Sequence, residues 1–163
     1  MRITQWGEYG VHFAVFLARR ALDGVPMASA AEMAEAQHID LQYAQQILQR
    51  LRRGDIVESF RGPQGGYRLK RRAQEITLLD ILMATEGETF ELLCDAKPLD
   101  GENCSSGTTC GLRRIWSDLR IHVDQFLSAY TLEILALNPT GVQTQNLINL
   151  PPRSIGFVGE TSD

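Results

Sequence analysis

The run LQYAQQILQRLRRGDIVESFRGPQGGYRLK at positions 41–70 narrows the fold more than any other part of the chain. Its first half places Tyr43, Ile47, Leu48 and Leu51 along one side of a helix, with Asp40 before it as a side-chain cap and Gly54 as its stop. Its second half alternates on both sides of a Pro/Gly turn, the pattern of a β-hairpin. Just upstream, Ser29 and Glu32 form a capping box at the start of SAAEMAEAQH, a short Ala-rich helix that can pack closely on a neighbour. Two short helices joined by a brief turn read as helix-turn-helix, and a basic hairpin directly behind them makes a winged helix. The expected fold class is mainly α with a small β-hairpin wing, plus one long helix further on.

The remaining elements follow from the same rules. Residues 5–22 are helical in period, with Trp6, Phe13, Leu17 and Ala21 along a stripe, and DGVP at 23–26 breaks the pattern. Thr77 caps LLDILMATEG, which Gly87 stops. From residue 112, Leu112, Trp116, Leu119, Val123, Phe126 and Tyr130 alternate steps of four and three, a coiled-coil-like seam suited to dimerisation. Thr131 caps a further turn, LEILAL, and the residues after Pro139 are polar and rich in turn formers. The expected organisation is a winged-helix domain at 1–87, a cysteine loop at 88–111, a dimerisation helix with its following turn at 112–137, and a flexible tail at 138–163.

Charge is unevenly distributed. Eight of the 16 Lys and Arg lie between Arg50 and Arg72, opposed there only by Asp55 and Glu58, whereas residues 75–102 carry eight acids and one Lys. A net charge of −4 therefore hides a basic patch fitted to double-stranded DNA. Arg50, Arg52, Arg53, Arg61 and Arg68 are the expected phosphate contacts. Gln42, Gln45 and Gln46 are the expected base readers, because an amide can pair bidentately with adenine in the major groove. Ser29 and Tyr43 are further phosphate-contact candidates.

The three cysteines, Cys94, Cys104 and Cys110, all fall in one acidic stretch rich in Gly, Ser, Thr and Asp. Such a stretch buries little apolar surface, and clustered thiolates commonly order it by holding a metal or an iron–sulfur cluster. A zinc site and a thiol–disulfide switch at Cys104 and Cys110 remain open on the residues alone. Cys94, after the apolar FELL, is equally suited to being a small buried apolar residue. A Cys–His nucleophile lacks any local signature, and acidic surroundings disfavour the thiolate it needs, so an enzyme is not expected. Odd cysteine usage without a disulfide framework, no apolar signal segment and no run long enough for a bilayer fit a cytoplasmic protein without membrane attachment.

The opening MRIT-x-x-G-x-YG, the 41–69 segment with its RGPxGGY wing, the helix start ITLLDIL and the three-cysteine loop together resemble the Rrf2 family of bacterial regulators over about residues 1–137. Its IscR-like and NsrR-like members are similar, and the redox-sensing, RsrR-like branch most of all. The resemblance implies a dimeric winged-helix transcription factor acting on a palindrome-like operator, with an iron–sulfur cluster sensing redox state, nitric oxide or iron. It also implies a ligand set. Nine residues separate Cys94 from Cys104, a departure from the family's closer spacing, whereas five separate Cys104 from Cys110, as in the family. Glu8 and His12 share a face of the first helix, at the position where relatives place a cluster ligand. Cys104 and Cys110 from one chain with Glu8 and His12 from its partner would suit a 2Fe–2S cluster, favoured over the three-cysteine 4Fe–4S type. His38, before the reading helix, reads as structural or as a DNA-backbone contact, and His122 as a packing residue beside the seam.

Overall fold

Asp40 shows how local chemistry starts each element. Its carboxylate accepts from the backbone N–H of Gln42 at 2.7 Å and of Tyr43 at 3.3 Å, closing the first turn of the helix that follows. The computed structural model describes residues 3–62, 65–88 and 111–138. In chain order these form α1 (Gln5–Leu22), α2 (Ala30–Ala36), α3 (Leu41–Arg53), β1 (Val57–Phe60), β2 (Gly66–Leu69), a 3-10 turn (Ala73–Glu75), α4 (Leu78–Glu86), α5 (Gly111–Ser128) and α6 (Leu132–Leu137). The expected capping box at Ser29/Glu32 is formed, the expected cap at Thr77 proves to be a full box with Asp80, and Thr131 caps α6.

The described part of the chain is the expected winged helix. α2 and α3 are the helix-turn-helix, and β1 and β2 pair antiparallel in the register Val57–Leu69 to Phe60–Gly66. A third short segment joins the hairpin, because Ala28 and Tyr67 exchange backbone bonds of 3.0 and 2.7 Å. The wing is thereby tied to the residue that precedes the capping Ser29. One apolar core unites Phe13 and Leu17 of α1, Met33 of α2, Ile47, Leu48 and Leu51 of α3, Ile56, Ile76, Ile81 of α4 and Leu132 of α6. α6 therefore returns to the core laid down by the first 87 residues, and backbone bonds of 2.8 Å from Leu78 to Tyr130 and from Leu132 to Ile76 hold it there.

Two sequence readings are corrected by packing. The α1 stripe does not run to Ala21, which is exposed; Gly7 and Gly10 are buried instead, because α4 crosses α1 there. A Cβ on Gly10 would lie 2.5 Å from the Thr85 methyl, so only glycine permits this approach. Gly54 does end α3, but not through a left-handed turn. Its φ is −84°, and Asp55 takes the left-handed conformation at φ 60°. What demands glycine at 54 is proximity, since a Cβ would sit 2.3 Å from that of Ala84.

On α5, Trp116, Leu119 and Phe126 are exposed along the predicted seam, joined by Ile115, while Val123 is half-buried; Tyr130, just beyond the helix, is buried. Among the described residues, no helix is long and apolar enough to cross a membrane.

Candidate functional site

The amphipathic split of α3 sets its two roles. Ala44, Ile47, Leu48 and Leu51 are buried, and on the opposite side Gln42, Gln45, Gln46, Gln49, Arg52 and Arg53 are exposed. Gln42, Gln45, Gln46, Gln49 and Arg52 line one open depression of about 390 Å³ with Tyr67 from the wing. The structure thus brings the three predicted base-reading glutamines together. It adds Gln49 and Tyr67 to the same lining, two residues the sequence reading did not place there although the spacing from Gln42 and Gln46 to Gln49 carried the signal.

The predicted arginines divide into three groups. Arg53 and Arg61 are exposed, and neither takes an ion pair among the described residues. Arg52 and Arg68 are exposed too but oriented: the Arg52 guanidinium donates to the Ser59 hydroxyl at 3.3 Å. Arg68 pairs with Glu58, its cross-strand neighbour, at 2.7 Å, with its guanidinium carbon 4.6 Å from the Phe60 ring centroid. Arg50 turns inward. It donates to the carbonyl of Thr85 near the end of α4 and stacks on Trp6 at 4.2 Å, apart from the depression.

That inward contact belongs to a junction of α1, α3 and α4. Glu86 Oε1 accepts from Thr4 N–H (2.8 Å), the Thr4 hydroxyl (2.7 Å) and Gly7 N–H (2.8 Å). A carboxylate in the last turn of α4 opposes that helix's own dipole, but here it sits at the positive N-terminal end of α1, which offsets the cost. Burial works against the Glu86 carboxylate; the bonds from Thr4 and Gly7, with Arg50 nearby, prevail and hold its pKa below the ordinary carboxylate value. Trp6 and Tyr9 of α1 both pack edge-on against Tyr43 of α3, with centroids 4.8 and 5.9 Å apart. Burial, with Tyr9 beside it, pushes the Tyr43 hydroxyl pKa up, so this ring is a neutral packing element. Ser29, the other phosphate candidate, has its hydroxyl engaged in the α2 cap.

Glu8 and His12 lie exposed on one face of α1. Both adjoin the junction: Glu8 lines an open depression with Thr4, Trp6 and Tyr43, and the His12 ring is 6.4 Å from that of Tyr9. Neither side chain takes a hydrogen bond or ion pair among the described residues, so both retain ligating capacity. Cys94, Cys104 and Cys110 lie outside the described residues. Of the other two histidines, His38 adopts φ 53° in the turn between α2 and α3, and His122 bonds the Asp118 carbonyl at 2.7 Å one turn back on α5.

Comparison with known proteins agrees with this architecture. A family model described as "Iron-dependent Transcriptional regulator" matches residues 3–138. IscR of Photorhabdus laumondii, an HTH-type transcriptional regulator, is 34% identical over 139 residues, covering 85% of this chain and 80% of IscR. Among solved structures, CymR of B. subtilis, described as the global cysteine regulator of that organism, is 29% identical with a TM-score of 0.64, covering 84% of this chain and 97% of CymR. IscR of T. potens, at 24% identity and a TM-score of 0.63 over 88% of this chain and 93% of its own, shares the fold. Helix-turn-helix, wing and these relatives together establish a transcriptional regulator rather than an enzyme, and the chain belongs to the Rrf2 family.

Proposed function

We propose that this regulator binds a palindrome-like operator as a homodimer and changes its operator affinity when an iron–sulfur cluster, 2Fe–2S in type, changes redox state. The observation that carries the sensing half is the junction. α4 ends in Thr85 and Glu86, which bond α3 through Arg50 and α1 through Thr4 and Gly7; immediately beyond, the chain enters the segment that bears all three cysteines. A displacement of that segment has a short, hydrogen-bonded route to the reading helix.

Dimerisation is supported by Ile115, Trp116, Leu119 and Phe126, large apolar side chains left exposed on one side of α5. In the dimer each chain presents one α3, so two half-sites follow from two-fold symmetry. Within each chain the DNA contacts are assigned to Gln42, Gln45 and Gln46 for bases, and to Arg52, Arg53, Arg61 and Arg68 for phosphates. Arg50 is assigned to the junction, because its guanidinium is already bonded to Thr85 and stacked on Trp6.

Glu8 and His12 fit a cluster site in donor chemistry and in exposure, and Cys104 and Cys110 supply the thiolates that such a group requires. When bound, the cluster supplies a one-electron change of charge. Glu8 and His12 would hold it from α1, and a shift of α1 would pass to α3 through the contacts of Trp6 and Tyr9 with Tyr43. A second reading uses the same cysteines as a thiol switch without a cluster. It is favoured by the CymR relatives, of which one is named a cysteine regulator and another, from Staphylococcus aureus, is described in an oxidised form.

The test is anaerobic purification with iron, sulfide and visible-absorbance analysis of the full chain and four variants. Cys104→Ala and Cys110→Ala are expected to lose the cluster, His12→Ala to alter its spectrum, and Cys94→Ala to keep it. Loss on Cys94→Ala with an unchanged His12→Ala spectrum replaces this site with the three-cysteine 4Fe–4S type. Colourless wild-type protein without iron or sulfide leaves the thiol switch.

A further inference from the structure

Resting on the reading that α3 enters the major groove, we propose that Gln49 is a fourth base-reading residue, completing an amide strip that selects consecutive A·T pairs in each half-site. Gln42, Gln45, Gln46 and Gln49 stand at steps of three and four along α3, so they share one side, opposite Ala44, Ile47, Leu48 and Leu51. All four are exposed, and all four line the same depression with Arg52 and Tyr67. Among the described residues no carboxylate lines it, so no anionic group there repels phosphate or offers a charged acceptor to the exocyclic amine of cytosine.

The chemistry of four amides side by side is selective. Each amide offers one acceptor and a donor group in a plane, the complement of adenine N6–H and N7. Guanine presents two acceptors on the same edge, which leaves the amide oxygen of Gln unpaired. At about 1.5 Å of rise per residue, Gln42 to Gln49 spans roughly 10 Å, which matches about three base-pair steps of 3.4 Å. The strip therefore has the length of a short A·T run.

Its C-terminal end is closed by structure. Arg52 follows Gln49 by three residues and is held towards β1 through Ser59, so a cation stands where the strip stops. Tyr67 is fixed by its two backbone bonds to Ala28, which sets the wing base at a constant distance from Gln49. Sequence position alone places Gln49 near the end of a recognition helix, where base contact is not expected; the shared depression extends the reading surface to it.

The experiment is selection of a random-sequence DNA duplex pool by full-length wild-type protein and by Gln49→Ala. The enriched duplex is then titrated against duplexes carrying single-pair changes. Wild type is expected to enrich half-sites with successive A·T pairs, and each A·T to G·C change to weaken binding roughly 10- to 100-fold. Gln49→Ala should lose that preference at one position, with its affinity for unrelated duplex and its salt dependence unchanged. A defined site whose preferences are the same in Gln49→Ala overturns the assignment of Gln49 alone. A defined site rich in G·C overturns the amide strip. If wild type enriches no site at all, the underlying reading of α3 fails with it.

Discussion

The junction of α1, α3 and α4 and the face formed by α3 and the wing use the same kinds of side chain to opposite ends. At the junction, Arg50 bonds Thr85 and Glu86 bonds Thr4, and Trp6 stacks on the Arg50 guanidinium. On the outer face, Gln42, Gln45, Gln46, Gln49, Arg53 and Arg61 stand exposed in polar surface. Arg50 and Arg53 are three residues apart on one helix and both exposed, yet the Arg50 guanidinium is bonded to Thr85 and stacked on Trp6, whereas Arg53 takes no ion pair among the described residues. Polar groups that close on each other hold elements together; polar groups left open mark where a polyanion can bind. Substitutions at the junction should therefore cost stability, and substitutions on the face should cost DNA affinity.

The largest expected effect is at the closest approach. Gly10→Val places a branched side chain against the fully buried Thr85, where even a Cβ would be 2.5 Å from its methyl. Overpacking costs about 1–3 kcal/mol, and here the upper end is expected, read as a lower urea midpoint with an unchanged m-value. A Gly10→Val protein as stable as wild type would mean that α1 and α4 do not cross so tightly.

Glu86→Gln should cost less, about 1–2 kcal/mol at pH 7, because neutral bonds replace charge-assisted ones to Thr4 and Gly7. Its pH dependence has a definite sign. The folded-state pKa of Glu86 is lowered from 4.5, so its contribution is fully present above that value and is lost as pH falls through the lower, folded one. The stability gap between wild type and Glu86→Gln should thus narrow in acid, as followed by urea titrations from pH 7 downward. A gap independent of pH would show that the carboxylate charge is not what caps α1.

Removing an outward cation should cost least. Arg61→Ala is expected to leave stability within about 0.5 kcal/mol of wild type in thermal unfolding, since nothing among the described residues depends on it. A larger loss would move Arg61 from the open face to the fold.

Much of this was legible in the sequence because it is local. The caps at Ser29, Asp40, Thr77 and Thr131 each act over two or three residues, and the hairpin follows from alternation around a Pro/Gly turn. The junction was not legible, because Glu86 meets Thr4 and Gly7 across 82 and 79 positions. Arg50 was grouped with its basic neighbours by proximity in the chain. Its helical phase, seven residues after Tyr43, puts it beside the Trp6–Tyr43 contact, where its guanidinium stacks on Trp6. Gly54 was read as a conformational stop, whereas its smallness is demanded by Ala84, a residue thirty positions away. The cysteines and their ligand set came from chemistry and resemblance, and they lie outside the described residues.

The division of labour between junction and face is tested most directly by the salt dependence of operator binding in Arg53→Ala and Arg50→Ala. Removing one phosphate-binding cation lowers the slope of log K against log salt by about 0.9. Arg53→Ala is predicted to show that fall with unchanged thermal stability. Arg50→Ala is predicted to unfold at lower temperature, with the wild-type slope retained by the folded protein. The reverse pattern, a lower slope for Arg50→Ala and none for Arg53→Ala, would contradict the account.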